Sequence, residues 1–171
     1  MFNARLFFAT LTAIGLTFST LPSLATEEQL APAFDEPQSV NLWRPGDPGQ
    51  RLHIHGQVLS ITGEPIVGAV INIWQADGNG NYHQDRYRAS LTTGKEGRYS
   101  FGTVLPGQYY GIKHIHLTVT HHNHSSVTTE ILFQGDPNLD ESQQREQAIF
   151  LEEAEVKGET VLFGRFDIEM P

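Results

Sequence analysis

The sequence predicts an all-β fold, an antiparallel β-sandwich with few or no helices. Apolar and polar residues alternate with a period of two in many short segments. Clusters of Gly, Pro, Asn and Asp punctuate those segments at regular spacing. Only one stretch carries the signals of a helix start.

Residues 1–25 stand apart from that pattern. Arg5 precedes an apolar run, Leu6 to Phe18, and Ser23-Leu24-Ala25 follows as a small-residue cleavage site, which is the layout of a signal peptide. The run is shorter than the roughly 20 residues a membrane span needs. An exported protein, periplasmic or secreted and free of the membrane after cleavage, is expected. Residues 26–50 carry Pro and acidic residues without a period and read as an extended N-terminal arm. The sandwich domain is expected over residues 51–171.

Within it, "RLHIHGQVLSI" puts Leu52 and Ile54 on one face and His53 and His55 on the other. Thr62-Gly63 turns the chain into "EPIVGAVINIWQA", and "GRYSFGTV" makes a further strand, with Tyr99 a core residue. Pro106-Gly107 leads into "QYYGIKHIHLTVT"; "TTEILFQ" follows, and "EVKGETVLFGRFDIEM" reads as a hairpin about Lys157-Gly158. The expected helix is "DESQQREQAIF", 140–150, with Asp140 as N-cap.

Composition narrows the function classes. The formal charge is −9, and no basic run of five or more exists, so nucleic acid is not an expected partner. There is no Cys, so no disulfide supports the fold and no thiol chemistry is available. The sequence leaves homo-oligomer formation open.

Three stretches offer chemistry. On a strand, His114 and His116 project to one face with Cα atoms about 6–7 Å apart, close enough for two imidazoles to converge on one ion. The spacing also arises on any solvent-facing strand, and His53-Ile54-His55 repeats it in the same chain. "HHNH", 121–124, reads as a polar loop. "WQADGNGNYH" presents Tyr82 after a Gly-rich turn, a position that a surface aromatic fills equally well.

Taken in order, "GEPIVGAVINIWQADGNGNYH", "GRYSFGTVLPGQYY", "HIH" and "TTEILFQGDP" resemble the intradiol ring-cleavage dioxygenases, the catechol and protocatechuate dioxygenase family. The resemblance implies a β-sandwich holding one non-haem Fe(III) through two tyrosinates and two histidines. Carried onto this chain, those ligands are Tyr82, Tyr109, His114 and His116. It also implies a small aromatic diol and O2 as substrates, a muconate-type diacid as product, and Tyr109 as a labile ligand that doubles as a base. A phenolate is a hard anionic donor suited to ferric iron.

Two positions depart from the family pattern. An arginine usually stands three residues before the first ligand histidine; here that residue is Gly111, and Lys113 is the nearest cation. Where the family commonly reads Thr-Gln, this chain has Thr129-Glu130. Glu130 and Lys113 are therefore the candidate charges of the substrate pocket. The competing reading is an exported β-sandwich binding module, or a metalloprotein without ring-cleavage activity. In a binding module the glycines only make turns and the aromatics only fill the core.

Overall fold

A computed structural model describes residues 38–171; the expected signal peptide, 1–25, and residues 26–37 of the expected arm lie outside the described residues. Two sheets carry the fold. The first has the order β1–β5–β2–β10–β9, built from β1 (Ser39–Asn41), β2 (Arg51–Ser60), β5 (Arg98–Val104), β9 (Leu151–Val156) and β10 (Glu159–Arg165), with β11 (Ile168–Met170) also paired to β2. The second has the order β4–β3–β6–β7–β8, from β3 (Val70–Gln75), β4 (Arg88–Thr92), β6 (His114–His121), β7 (His124–Phe133) and β8 (Ala148–Ile149).

Alternation decides which face each sheet buries. From β2, Leu52, Ile54 and Val58 point inward and meet Ile71 and Ile73 of β3 and Ile115, Leu117 and Val119 of β6 in one core cluster. Each fully buried aliphatic side chain of this kind stabilises the fold by about 1.5–3 kcal/mol. Tyr99 belongs to the same core and is 2% exposed; its hydroxyl donates to the Phe166 carbonyl at 2.6 Å. On sheet two, an inward Ile115 and Leu117 oblige His114 and His116 to face outward.

The all-β, two-sheet prediction holds, and the sheets are mixed. β1 pairs with β5, β10 and β11 with β2, and β8 with β7, each in parallel. Each parallel partner returns by a long connection rather than a tight hairpin, and alternation along one strand is blind to its neighbour's direction. Part of the expected arm, Ser39–Asn41, is itself a strand.

The Lys157-Gly158 hairpin forms with both turn residues at positive φ, 53° and 81°. Asp140 caps the helix as expected: its carboxylate accepts from the Gln143 amide at 2.9 Å, and Gln143 reaches back to the Asp140 amide at 3.0 Å. That helix, α1 (Glu141–Glu146), ends before the expected Phe150, because Ala148 and Ile149 pair instead with Leu132 and Phe133. β4 was not legible in the sequence.

Candidate metal centre

The site lies on the outer face of sheet two, where two loops from the ends of β3 and β5 close over β6. Gln75, the last residue of β3, is 1% exposed, and its amide donates to the Val104 carbonyl at 2.9 Å while its oxygen accepts from the Thr103 hydroxyl at 3.0 Å. This buried clamp ties β3 to β5 at the points where both loops begin.

The first loop is organised by Asp77. Its carboxylate accepts from the Asn79 and Asn81 amides, both at 2.9 Å, and contacts His83 Nε2 at 2.9 Å. Burial by itself would raise the Asp77 carboxyl; hydrogen bonds from His83, Asn81 and Asn79 outweigh it and hold the group below the usual carboxylate range. The Asp77 carbonyl accepts from the Gly80 amide in its own loop, and from the Gly107 amide in the second. A Cβ at Gly107 would stand 2.3 Å from the Gly80 nitrogen, so only glycine admits this approach. Tyr82 and Tyr109 are delivered side by side, with ring centroids 4.6 Å apart and planes at 75°.

Beyond Tyr109 the chain reverses at once. Tyr110 and Gly111 both take positive φ, 50° and 98°, and the Tyr109 amide donates to the Ile112 carbonyl at 3.1 Å. The same carbonyl stands 3.2 Å from His114 Nδ1. One carbonyl thus binds both the tyrosine turn and the first histidine, which is how four intervening residues suffice.

The four rings close into a cluster. Centroids are 4.5 Å apart for His114 and His116, 6.3 Å for Tyr82 and His116, and 6.4 Å for Tyr109 and His114. His116 stacks on Trp74 at 4.9 Å and 14°. Glu130 Oε1 lies 3.1 Å from His116 Nδ1. Burial and the charge of His114 lower the His116 pKa, and Glu130 opposes them. Burial raises the Tyr82 phenol, reinforced by Tyr109 and Glu130 and opposed by Arg88. Tyr110 raises the Tyr109 phenol by hydrogen bonding, with burial adding to it.

Two observations fit this cluster to a metal ion. His114 Nδ1 faces a carbonyl and His116 Nδ1 faces a carboxylate, both pure acceptors, an arrangement that favours the Nδ1–H tautomer of each imidazole. The two Nε2 atoms face each other at 3.0 Å, and in those tautomers they would meet lone pair to lone pair. A shared cation would resolve that repulsion by accepting both lone pairs, and imidazole nitrogen suits iron among other transition metals. Next to them the Tyr82 hydroxyl is buried without a hydrogen-bond partner among the described residues.

The structure therefore brings Tyr82, Tyr109, His114, His116 and Glu130 together. Lys113 is tied by its amide to the Asp136 carboxylate at 2.7 Å, a backbone role that involves no ammonium charge. Sequence reasoning missed Trp74 as the platform for His116, Asp77 and Gln75 as loop organisers, and Arg88 as the cation acting on Tyr82. The register would have found two of these, since Arg88, Trp74 and His116 lie in one cross-strand row.

Comparison with known proteins identifies the family of the chain. A family model described as Dioxygenase matches residues 30–169. A chlorocatechol 1,2-dioxygenase of Rhodococcus opacus is 29% identical over 125 residues, 57% of this chain and 49% of the relative. A protocatechuate 3,4-dioxygenase beta chain of Burkholderia cepacia is 32% identical over 134 residues, 66% of this chain and 57% of the relative. The chain spans about half the length of the curated relatives it matches. The solved catechol 1,2-dioxygenase of Acinetobacter sp. ADP1 superposes with a TM-score of 0.68 at 23% identity, over 78% of this chain and 58% of that one, which establishes a common fold. With its family match running from residue 30 to residue 169, this chain belongs to the intradiol ring-cleavage dioxygenases.

Proposed function

We propose that the chain is an exported, Fe(III)-dependent dioxygenase that cleaves a catechol-type ring between its two hydroxyl-bearing carbons, placing both atoms of O2 in a muconate-type diacid. The observation that carries this reading is the pair of Nε2 atoms, 3.0 Å apart, beside two phenols of which one is buried and unpartnered. Tyr82, Tyr109, His114 and His116 would hold the ion. Fe(III) bound there would accept a catecholate as a chelating ligand and draw electron density from its ring, opening the ring carbons to O2.

The protein's own part is positioning and proton transfer. Tyr109 Oη takes the proton of a catechol hydroxyl as the diol enters. Tyr109 sits on a turn whose next residue, Tyr110, is 91% exposed, whereas Tyr82 is held by the Asp77 loop; this favours Tyr109 as the ligand that leaves. His114 and His116 are anchored at Nδ1 and stay in place. Glu130 makes the pocket unfavourable to a catechol bearing a carboxylate, so uncharged or amine-bearing diols are the expected substrates.

Iron-loaded protein beginning near Thr26 should be red-brown from tyrosinate-to-iron charge transfer, and catechol should shift that band and start O2 uptake. A colourless, iron-free protein after iron-replete expression overturns the proposal. A coloured protein that consumes no O2 with any catechol reduces it to a metalloprotein without ring cleavage. Recovery of the chain from the cytoplasmic fraction with residues 1–25 intact overturns export.

A further inference from the structure

Trp74, His116 and Glu130 form one row across three adjacent strands: Trp74 of β3 is the register partner of His116 of β6, which is the partner of Glu130 of β7. The period-two alternation places all three on the outer face. Each neighbour constrains His116 differently. The parallel stack of the Trp74 indole, 4.9 Å away, sets the plane of the imidazole. The Glu130 carboxylate, 3.1 Å from Nδ1, sets the ring's rotation within that plane.

Glu130 also has an oxygen within 4.8 Å of donor atoms on both histidines, so a third coordinating group is the alternative role. The contact geometry argues against it. Glu130 meets the Nδ1 edge of the ring, whereas His114 Nε2 stands 3.0 Å from Nε2. To enter the coordination sphere the carboxylate would have to release Nδ1, and the ring would lose its anchor. A ligating imidazole ordinarily gives its other N–H to such an outer partner, which fixes the tautomer and raises donor strength.

We propose that Glu130 is a positioning residue for His116: it holds the ring in the Nδ1–H tautomer, aims Nε2 toward His114, and adds a negative charge behind the ring. The purpose of that arrangement rests on the iron centre proposed above; the tautomer does not. A glutamine at this place would offer a carbonyl oxygen to the same Nδ1 contact but bring no charge. The carboxylate therefore stabilises the ferric over the ferrous state, in a site that depends on iron staying oxidised.

The test has a metal-free arm and an iron arm. Long-range proton–nitrogen correlation spectra of the metal-free chain at pH 8 should show His116 as the Nδ1–H tautomer in the wild type and in Glu130→Gln, and as the Nε2–H tautomer in Glu130→Leu. Circular dichroism of each variant confirms the fold. Chelator competition should show Fe(III) affinity reduced about 10- to 100-fold in Glu130→Leu. Glu130→Gln should stay within about tenfold of wild type by the same outer-partner logic, with its iron reduction potential raised. An Nε2–H tautomer in the wild type overturns the proposal, as does loss of iron by Glu130→Gln as complete as that of His116→Ala. A wild type that binds no iron but shows the tautomer change on Glu130→Leu supports the positioning role and overturns only the iron centre.

Discussion

His53 and His55 on β2 and His114 and His116 on β6 share one spacing, and both pairs face outward from their sheets, yet their rings meet differently. The β2 pair lies 6.5 Å apart and roughly parallel, at 26°, with Phe163 against His53. The β6 pair is 4.5 Å apart and nearly perpendicular, at 83°, with two Nε2 atoms turned to each other. Neither ring of the β2 pair has an oxygen partner among the described residues, whereas in the β6 pair His114 Nδ1 meets the Ile112 carbonyl and His116 Nδ1 meets the Glu130 carboxylate. A strand supplies two imidazoles on one face; convergence comes from whatever anchors their far edges. The third cluster, His121, His122 and His124, lies at the tip of the β6–β7 hairpin, where rings 4.2 and 5.2 Å apart gain only a long bond from the Asn123 amide to His121 Nδ1, 3.4 Å.

The sharpest test of this contrast is His116→Ala beside His55→Ala. The first should lower iron affinity by more than the roughly 100-fold that loss of an outer partner can cause, and the second should leave it unchanged, as read by iron stoichiometry and chelator competition. Equal losses would erase the distinction between the two strands.

Tyrosines allow a second comparison. Tyr109→Phe should abolish ring cleavage and weaken the charge-transfer band while moving stability by less than about 0.5 kcal/mol. Tyr99→Phe should leave the band intact and cost about 1–3 kcal/mol, because the Phe166 carbonyl loses its buried donor. Denaturant melts and visible spectra of the pair separate ligand from core.

The clamp between the loops predicts a mixed effect. Gln75→Leu strands the Thr103 hydroxyl and the Val104 carbonyl, each worth about 1–3 kcal/mol. Iron affinity should fall with it, since Tyr82 and Tyr109 are placed by the loops it joins. Melting temperature and iron affinity measured together check the coupling.

The smallest expected effect is a pH dependence. The Asp77 carboxyl has a folded pKa below its ordinary 3.8, so its contribution to stability is present above that value and is lost as pH falls through the folded one. Asp77→Asn should flatten the stability profile below about pH 4 without altering the β2 face. An unchanged profile would mean that the Asp77 loop does not hold the fold in acid.

Much of this is legible in the sequence. Alternation in "HIHLTV" placed His114 and His116 on one face because an inward Ile115 and Leu117 leave no other choice. Asp140, Tyr99 and the Lys157-Gly158 turn were legible for similarly local reasons: a cap, a core aromatic in an alternating strand, a two-residue turn. β4 and the parallel ladders were not, since strand direction and pairing depend on residues far apart in the chain. Trp74 read as the end of a buried strand, and its stack on His116 depends on a register that one strand does not encode.

By itself the sequence determined the all-β class, the two-sheet core and the outward face of β6, because periodicity and turn chemistry are local properties; the four candidate ligands came from its ordered resemblance to a family, since each motif read alone fitted a plain strand or turn equally well. Tertiary structure alone decided that His116 gives Nδ1 to Glu130 and His114 gives Nδ1 to Ile112, that Gly80 and Gly107 let two loops touch, and that Tyr82 buries its hydroxyl beside the imidazoles. Each of those facts joins segments from different strands or loops, and a hydrogen bond or close approach between them exists only once the sheets have set their register.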